Sequence, residues 1–336
     1  FGTAYNMPFA LRLQGELDRP RLREAFQQLV KRHEAFRTEF VWEGTEGEPV
    51  QRVVEDVHLI VTEQQIDEEA DLAAAMDAFV QPFDLSHAPL LRVRLIERHE
   101  QDHFLLADMP HIISDGTSIA VLVEELSLLY RGEPLPPLRI QYKDYAVWQE
   151  QQRASGQDAE QEAYWLKQFA GELPVLNLPT DHPRPAVQSF AGDSFEIGMD
   201  AELTNALQAL ARETGTTLYM VMLAAYQVLL YKYTGQEDMI VGSPAAGRKH
   251  ADTSRIIGMF VNTLALRSYP EGTKSFRSFL GEVQHNVLQA FDRQDYPYEQ
   301  LIERLKIKRD LGRNPLFDTM FAMQNMAQSE LDLGSL

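Results

Sequence analysis

The chain has 336 residues, 44% of them hydrophobic, enough to bury a large core and to divide it between two domains. Its 50 Asp and Glu against 31 Lys and Arg give a formal charge of -19, which repels a phosphate backbone and excludes nucleic acid as an expected partner. Cysteine is absent, so disulfides, thiolate metal sites and a cysteine acyl-enzyme are excluded, which fits a reducing, cytoplasmic setting. The chain opens on Phe1 with no charged-then-apolar export signal, and reads as a piece cut from a longer polypeptide. Pro8 to Leu13 is a short apolar run, and Asp18 with Pro20 supplies the cap and first turn of a helix carrying Leu22, Phe26, Leu29 and Val30 at helical spacing. Thr38 to Trp42 then turns extended, as do Val50 to Val54, Pro89 to Ile96 and His103 to Asp108, with a helix predicted over Glu68 to Val80. From Thr117 to Tyr130 the apolar residues make one helical face, closed by Gly132 and a proline-rich stretch, and a further helix starts near Tyr142 and carries Trp148.

Prolines 174, 179, 183 and 185 gather among polar residues, the composition of an extended connection. The domain division is therefore placed there: residues 1–172, a linker over 173–190, and 191–336. The second part is predicted to open with a strand over Ser194 to Gly198, then helices over Ala201 to Glu213 and Thr217 to Tyr233. The most apolar stretch, Leu218 to Leu230, is broken by Tyr219, Tyr226 and Gln227 and is too short to span a bilayer, so no membrane association is expected. Strands over Met239 to Gly242, Met259 to Leu266 and Phe317 to Met323, with a helix over Phe276 to Phe291, complete a second α/β lobe.

Chemistry concentrates in His111-Ile112-Ile113-Ser114-Asp115-Gly116, at the junction of an apolar strand and the Thr117 helix. A sheet holds a histidine at its strand end, and the nearby helix N-terminus offers unpaired N–H groups whose partial positive charge favours the neutral imidazole and a developing oxyanion. Asp115 reads as a helix cap or as one half of a buried arginine clamp, and Gly116 as a place of close backbone approach. The other histidines show no metal-ligand spacing, and no phosphate loop or Gly-x-Ser-x-Gly elbow occurs.

The run Met109-Pro110-His111-Ile112-Ile113-Ser114-Asp115-Gly116-Thr117-Ser118 resembles the central motif of condensation domains of nonribosomal peptide synthetases. Five other segments agree, in the family's order. They are Arg32-His33-Glu34-Ala35-Phe36-Arg37-Thr38-Glu39-Phe40, Tyr142-Lys143-Asp144-Tyr145-Ala146-Val147-Trp148, Ile257-Gly258-Met259-Phe260-Val261-Asn262-Thr263 with Arg267, Gln294-Asp295-Tyr296-Pro297-Tyr298-Glu299, and Arg309-Asp310-Leu311-Gly312-Arg313-Asn314-Pro315-Leu316.

The resemblance implies an α/β fold of two chloramphenicol-acetyltransferase-like lobes, a V-shaped pseudo-dimer with a tunnel at the seam. It implies that an upstream carrier protein presents a donor aminoacyl or peptidyl thioester and a downstream one an acceptor aminoacyl group, both on phosphopantetheine, beside an adenylation domain. His111 matches the catalytic histidine, which deprotonates the acceptor amine or positions it and stabilises the tetrahedral intermediate. Asp115 and Gly116 match the structural end of the motif, and the arginine partner of Asp115 is expected to be Arg32 or Arg37, with Arg32 favoured. Gly258, Asn262 and Ser118 are candidates for the tunnel lining; Trp148 is read as a core anchor or as lining; no metal is expected. The sequence departs from the family in having Pro110 where a first histidine usually stands. The family's first motif and last strands are missing, which implies truncation at both ends. Epimerisation and a catalytically silent docking module are the alternative readings; heterocyclisation needs an aspartate where Pro110 stands.

Overall fold

β1 (Phe9–Gln14) leads into α1 (Arg19–Arg32), whose N-cap Asp18 accepts a hydrogen bond from the Arg21 amide at 3.0 Å with proline in the first turn. Leu22, Ala25, Phe26, Leu29 and Val30 form its buried face. β2 (Thr38–Trp42) and β3 (Pro49–Val53) pair antiparallel as a separate ribbon. β4 (Val61–Gln65), α2 (Glu69–Phe79), β5 (Arg92–His99) and β6 (Asp102–Asp108) follow, and a sheet forms in the order β1-β6-β5-β4, antiparallel except for β4 on β5. β6 is flanked on both sides and almost wholly buried, so its C-terminal end is well placed to hold a side chain. α3 (Gly116–Arg131) and α4 (Tyr142–Ala154) come next. Gly132 ends α3 in the left-handed conformation at φ 78°, which glycine adopts without a Cβ clash. In this computed structural model residues 2–42, 49–66, 69–99, 101–156, 158–189, 191–308, 310–324 and 333 are described.

α1 packs on α3 through Leu29, Leu122 and Leu126, all fully buried, and through an ionic triad. Arg32 donates Nε and Nη2 to the two oxygens of Glu125 at 3.0 and 3.1 Å, and His33 Nε2 meets Glu125 Oε2 at 2.7 Å. Burial raises the Glu125 pKa, but His33 and then Arg32 more than offset it, so the carboxyl lies below its ordinary 4.5. A carboxylate depressed in the folded state contributes stability that is present above the unfolded value and lost as pH falls through the folded one. Urea melts of the native chain and Glu125→Gln are therefore expected to differ most above pH 4.5 and to converge in more acidic buffer.

The second half supplies α5 (Ala159–Gln168), α6 (Ala201–Thr214), α7 (Leu218–Thr234), β7 (Met239–Ala245), β8 (Asn262–Ser268), α8 (Phe276–Asp292) and α9 (Tyr298–Leu305). β7 and β8 are antiparallel, and Trp165, Val221, Leu223, Val241, Leu266 and Phe279 centre a separate core. By contacts the chain forms two units: Phe1–Gln151 with Arg248–Phe260 and Met326–Leu336, and Gln152–Gly247 with Val261–Asn325. No helix among the described residues is long and apolar enough to cross a membrane.

Several expectations need correction. The linker over 173–190 lies inside the second unit, because the chain changes unit at 151/152 and the segment Arg248–Phe260 packs with the first. No strand forms over Ser194 to Gly198: its alternating apolar residues Phe195 and Ile197 stand 89% and 78% exposed, and a strand without a neighbour has no ladder to close. The strand expected over Phe317 to Met323 reduces to a bridge between Met320 and Gly242. β8 begins at Asn262, three residues later than expected, because Met259 to Val261 is irregular. β4 and α5 were not anticipated. Phe1, Glu68 and Arg309 lie outside the described residues.

Candidate active site

Beyond β6 the chain turns through Met109 and Pro110 into a short 3-10 turn, His111–Ile113, and then into α3. The His111 amide donates to Tyr5 O at 2.8 Å and the Met7 amide to Met109 O at 2.8 Å. These two bonds flank the Asn6–Pro110 bridge, so the missing proline N–H leaves no gap in the pairing and explains how Pro110 is accommodated. The imidazole of His111 is half-buried and takes no hydrogen bond from any described residue. It thus retains both ring nitrogens for a reacting group.

Asp115, fully buried, is the most heavily used carboxylate of the region. It caps α3 through the Ser118 amide, and its Oδ1 also lies 2.8 Å from Ser118 Oγ and 2.9 Å from Arg248 Nη2; the Phe260 amide donates to Oδ2 at 3.1 Å. Arg248, its side chain only 6% exposed, donates Nη1 to Thr253 O and to Ile256 O at 2.7 Å and lies 4.1 Å over the Phe260 ring. The Ser118 hydroxyl adds Gly258 O at 3.0 Å. Asp115, Ser118 and Arg248 therefore fasten the segment Arg248–Phe260 to the start of α3, four residues from His111.

The arginine clamp exists, but its cation is Arg248 rather than Arg32 or Arg37. Arg32 is held by Glu125, ten residues along α3 from Asp115, roughly 15 Å along the axis at 1.5 Å per residue. Arg37 turns its guanidinium onto the carbonyls of Val30, Lys31 and Val54, two of them orphaned at the C-terminal end of α1. The missed signal is a Gly-Arg-Lys step, Gly247-Arg248-Lys249, following an apolar strand in an acidic chain.

Gly258 and Asn262 have reasons of their own. A Cβ on Gly258 would stand 2.1 Å from Tyr142 Cδ2, so the close approach that requires glycine is that of the Tyr142 ring, whose hydroxyl donates to Met259 O at 2.8 Å. Burial, then the Tyr145 and Asp115 charges, pushes the Tyr142 hydroxyl up to about 12, and it stays a donor across the working range. Gly258→Ala should therefore cost about 1–3 kcal/mol by overpacking. Urea unfolding checks this, and a Gly258→Ala, Tyr142→Leu double variant should recover part of the loss.

Asn262 donates to Gln294 O and Tyr296 O, both at 2.7 Å, and accepts from the Thr263 and Tyr298 amides, pinning the start of α9 to β8. Trp148 is 38% exposed, lies edge-on to His250 at 5.2 Å, and belongs to a helix without a fully buried residue; it is not a core anchor. Gly116 is the first residue of α3, directly after its cap. Among the described residues no cluster has the make-up of a metal site.

A family model for the condensation domain matches residues 1–334. The chain belongs to the condensation-domain family. It is 54% identical to a part of tyrocidine synthase 3 from Brevibacillus parabrevis, over all of this chain and 5% of that protein. Among solved structures, the X-domain in its complex with OxyB from teicoplanin biosynthesis superposes with a TM-score of 0.85 at 26% identity, over 94% of this chain and 71% of that one. A four-domain nonribosomal peptide synthetase bound to AMP and glycine superposes with a TM-score of 0.86 at 23% identity, over 97% of this chain and 25% of that one. The condensation domain therefore has the chloramphenicol-acetyltransferase-like α/β fold, and it spans a small fraction of the curated synthases it matches.

Proposed function

We propose that this condensation domain forms an amide bond between a donor acyl thioester and the amine of an acceptor aminoacyl thioester. An upstream and a downstream carrier protein present the two on phosphopantetheine arms, beside an adenylation domain. The observation that carries the reading is His111: an imidazole just beyond the end of a central strand, hydrogen-bonded to no described residue, beside a locked helix start.

The acceptor nitrogen attacks the donor carbonyl, the C–N bond forms, and the carbonyl electron pair moves to oxygen. His111 accepts a hydrogen bond from the amine and takes its proton as the bond forms. Collapse of the tetrahedral adduct breaks the C–S bond. The donor carrier leaves as thiolate, which receives the proton, and the product remains on the acceptor carrier. Asp115, Ser118 and Arg248 are already paired with one another, so they serve as scaffold for the His111 loop.

The test loads both carriers and follows dipeptidyl-carrier formation by intact mass. A condensed product on the downstream carrier is expected. Carrier binding without product would instead favour a recruiting module, the kind of role that the X-domain bound to OxyB suggests. Solvent deuterium entering the α-carbon without condensation would favour epimerisation.

A further inference from the structure

We propose that Asn6, Asp108 and Arg92 form a clamp that sets the orientation of His111, acting as positioning residues for the reaction. The inference rests on the reading of His111 as the catalytic side chain.

In a serine-protease triad a carboxylate holds the histidine ring through one nitrogen. Here no described residue bonds the ring, so its direction is inherited from the backbone that carries it. That backbone is held by a short ladder: His111 N to Tyr5 O, Met7 N to Met109 O, and nothing at Pro110 between them. The segment Tyr5 to Met7 precedes β1, and Tyr5 is 72% exposed. Two such bonds at an exposed chain segment would open readily on their own.

The Asn6 side chain closes the ladder from behind. Its Nδ2 donates to Asp108 Oδ2 at 2.7 Å and to Gln81 O at 2.8 Å. Arg92 converges on the same two acceptors, with Nη1 at 3.2 Å from Asp108 Oδ2 and 3.1 Å from Gln81 O, and its guanidinium lies 4.3 Å over the Phe83 ring. Asp108 is the last residue of β6, fully buried, three residues before His111. One carboxylate oxygen thus ties the segment bearing Asn6, the strand bearing His111, β5 and the chain after α2. Burial raises the Asp108 pKa above its ordinary 3.8 although Asn6 and then Arg92 pull it back, so both donors offset part of the desolvation of this carboxylate.

Asn6→Ala, in the full-length protein, removes one donor and leaves the Asp108–Arg92 pair intact. Loss of the hydrogen bond should speed exchange of the His111 amide about tenfold in hydrogen–deuterium measurements. Misplacement of the ring should lower kcat about tenfold or more, with KM for both carriers within about twofold. In the His111→Ala background the same substitution should cause no further fall, because its effect runs through the imidazole. Asp108→Asn, which keeps the side-chain shape, should move exchange and kcat in the same direction and serves if Asn6→Ala does not fold.

Unchanged His111 exchange overturns the clamp. So does an unchanged kcat, or a loss in Asn6→Ala that multiplies in full with that of His111→Ala. The reading of His111 fails by a different result, native turnover in His111→Ala, and the amide exchange in Asn6→Ala is read independently of it.

Discussion

His111→Ala is expected to slow dipeptidyl-carrier formation by about 10²- to 10⁴-fold, the range that a positioned acid–base group contributes. The loss should fall on kcat, with KM for either carrier little changed, because the imidazole acts on the proton that moves as the bond forms. Stability should change by no more than about 1 kcal/mol. The ring is half-buried and bonds no described residue, so its removal orphans no buried donor or acceptor, while the backbone bond to Tyr5 O survives. Rapid-quench assays with both carriers loaded, beside a thermal melt, separate the two quantities. Native turnover in the variant would remove His111 from the chemistry.

Much of the first unit was legible because its signals are local. Asp18 with Pro20, and Asp115 ahead of an apolar 3.6-residue period, announce α1 and α3, and both caps form as read. Thr38–Trp42 was placed to the residue. β4, with Thr62, Glu63, Gln64 and Gln65, has no apolar alternation to betray it; it is a strand only because β5 pairs with it in parallel register. Ser194 to Gly198 fails in the opposite sense, since it has the alternation and lacks a neighbour.

The site divides along the same line. His111 and Asp115 stand in one short run, but the cation that completes the clamp lies 133 residues further on in the sequence. No periodicity or spacing links the two; the sequence points to Arg32 or Arg37 because both stand inside a recognisable motif, and Arg248 does not. Gly258 likewise looked like an opening for a ligand, whereas it is the seat of the Tyr142 ring.

Arg248→Ala is expected to destabilise the protein by about 3–5 kcal/mol, the cost of leaving one half of a buried ion pair without its partner. Asp115 is fully buried and the Arg248 side chain nearly so, and truncation also strips Thr253 O and Ile256 O of their guanidinium donors and Phe260 of its stacked cation. Lysine keeps the charge but lacks the two separate nitrogens that reach Ile256 O and Asp115, so Arg248→Lys should recover less than half of the loss. Asp115→Asn, which leaves the arginine buried opposite a neutral amide, should cost a comparable amount. The pair combined with Arg248→Ala should then cost less than the two singles added, by about 2 kcal/mol. Urea unfolding followed by fluorescence gives all four values. Strict additivity would mean that the two charges do not sense each other, and that the segment Arg248–Phe260 is held by its other contacts, among them the Ser118–Gly258 and Tyr142–Met259 hydrogen bonds.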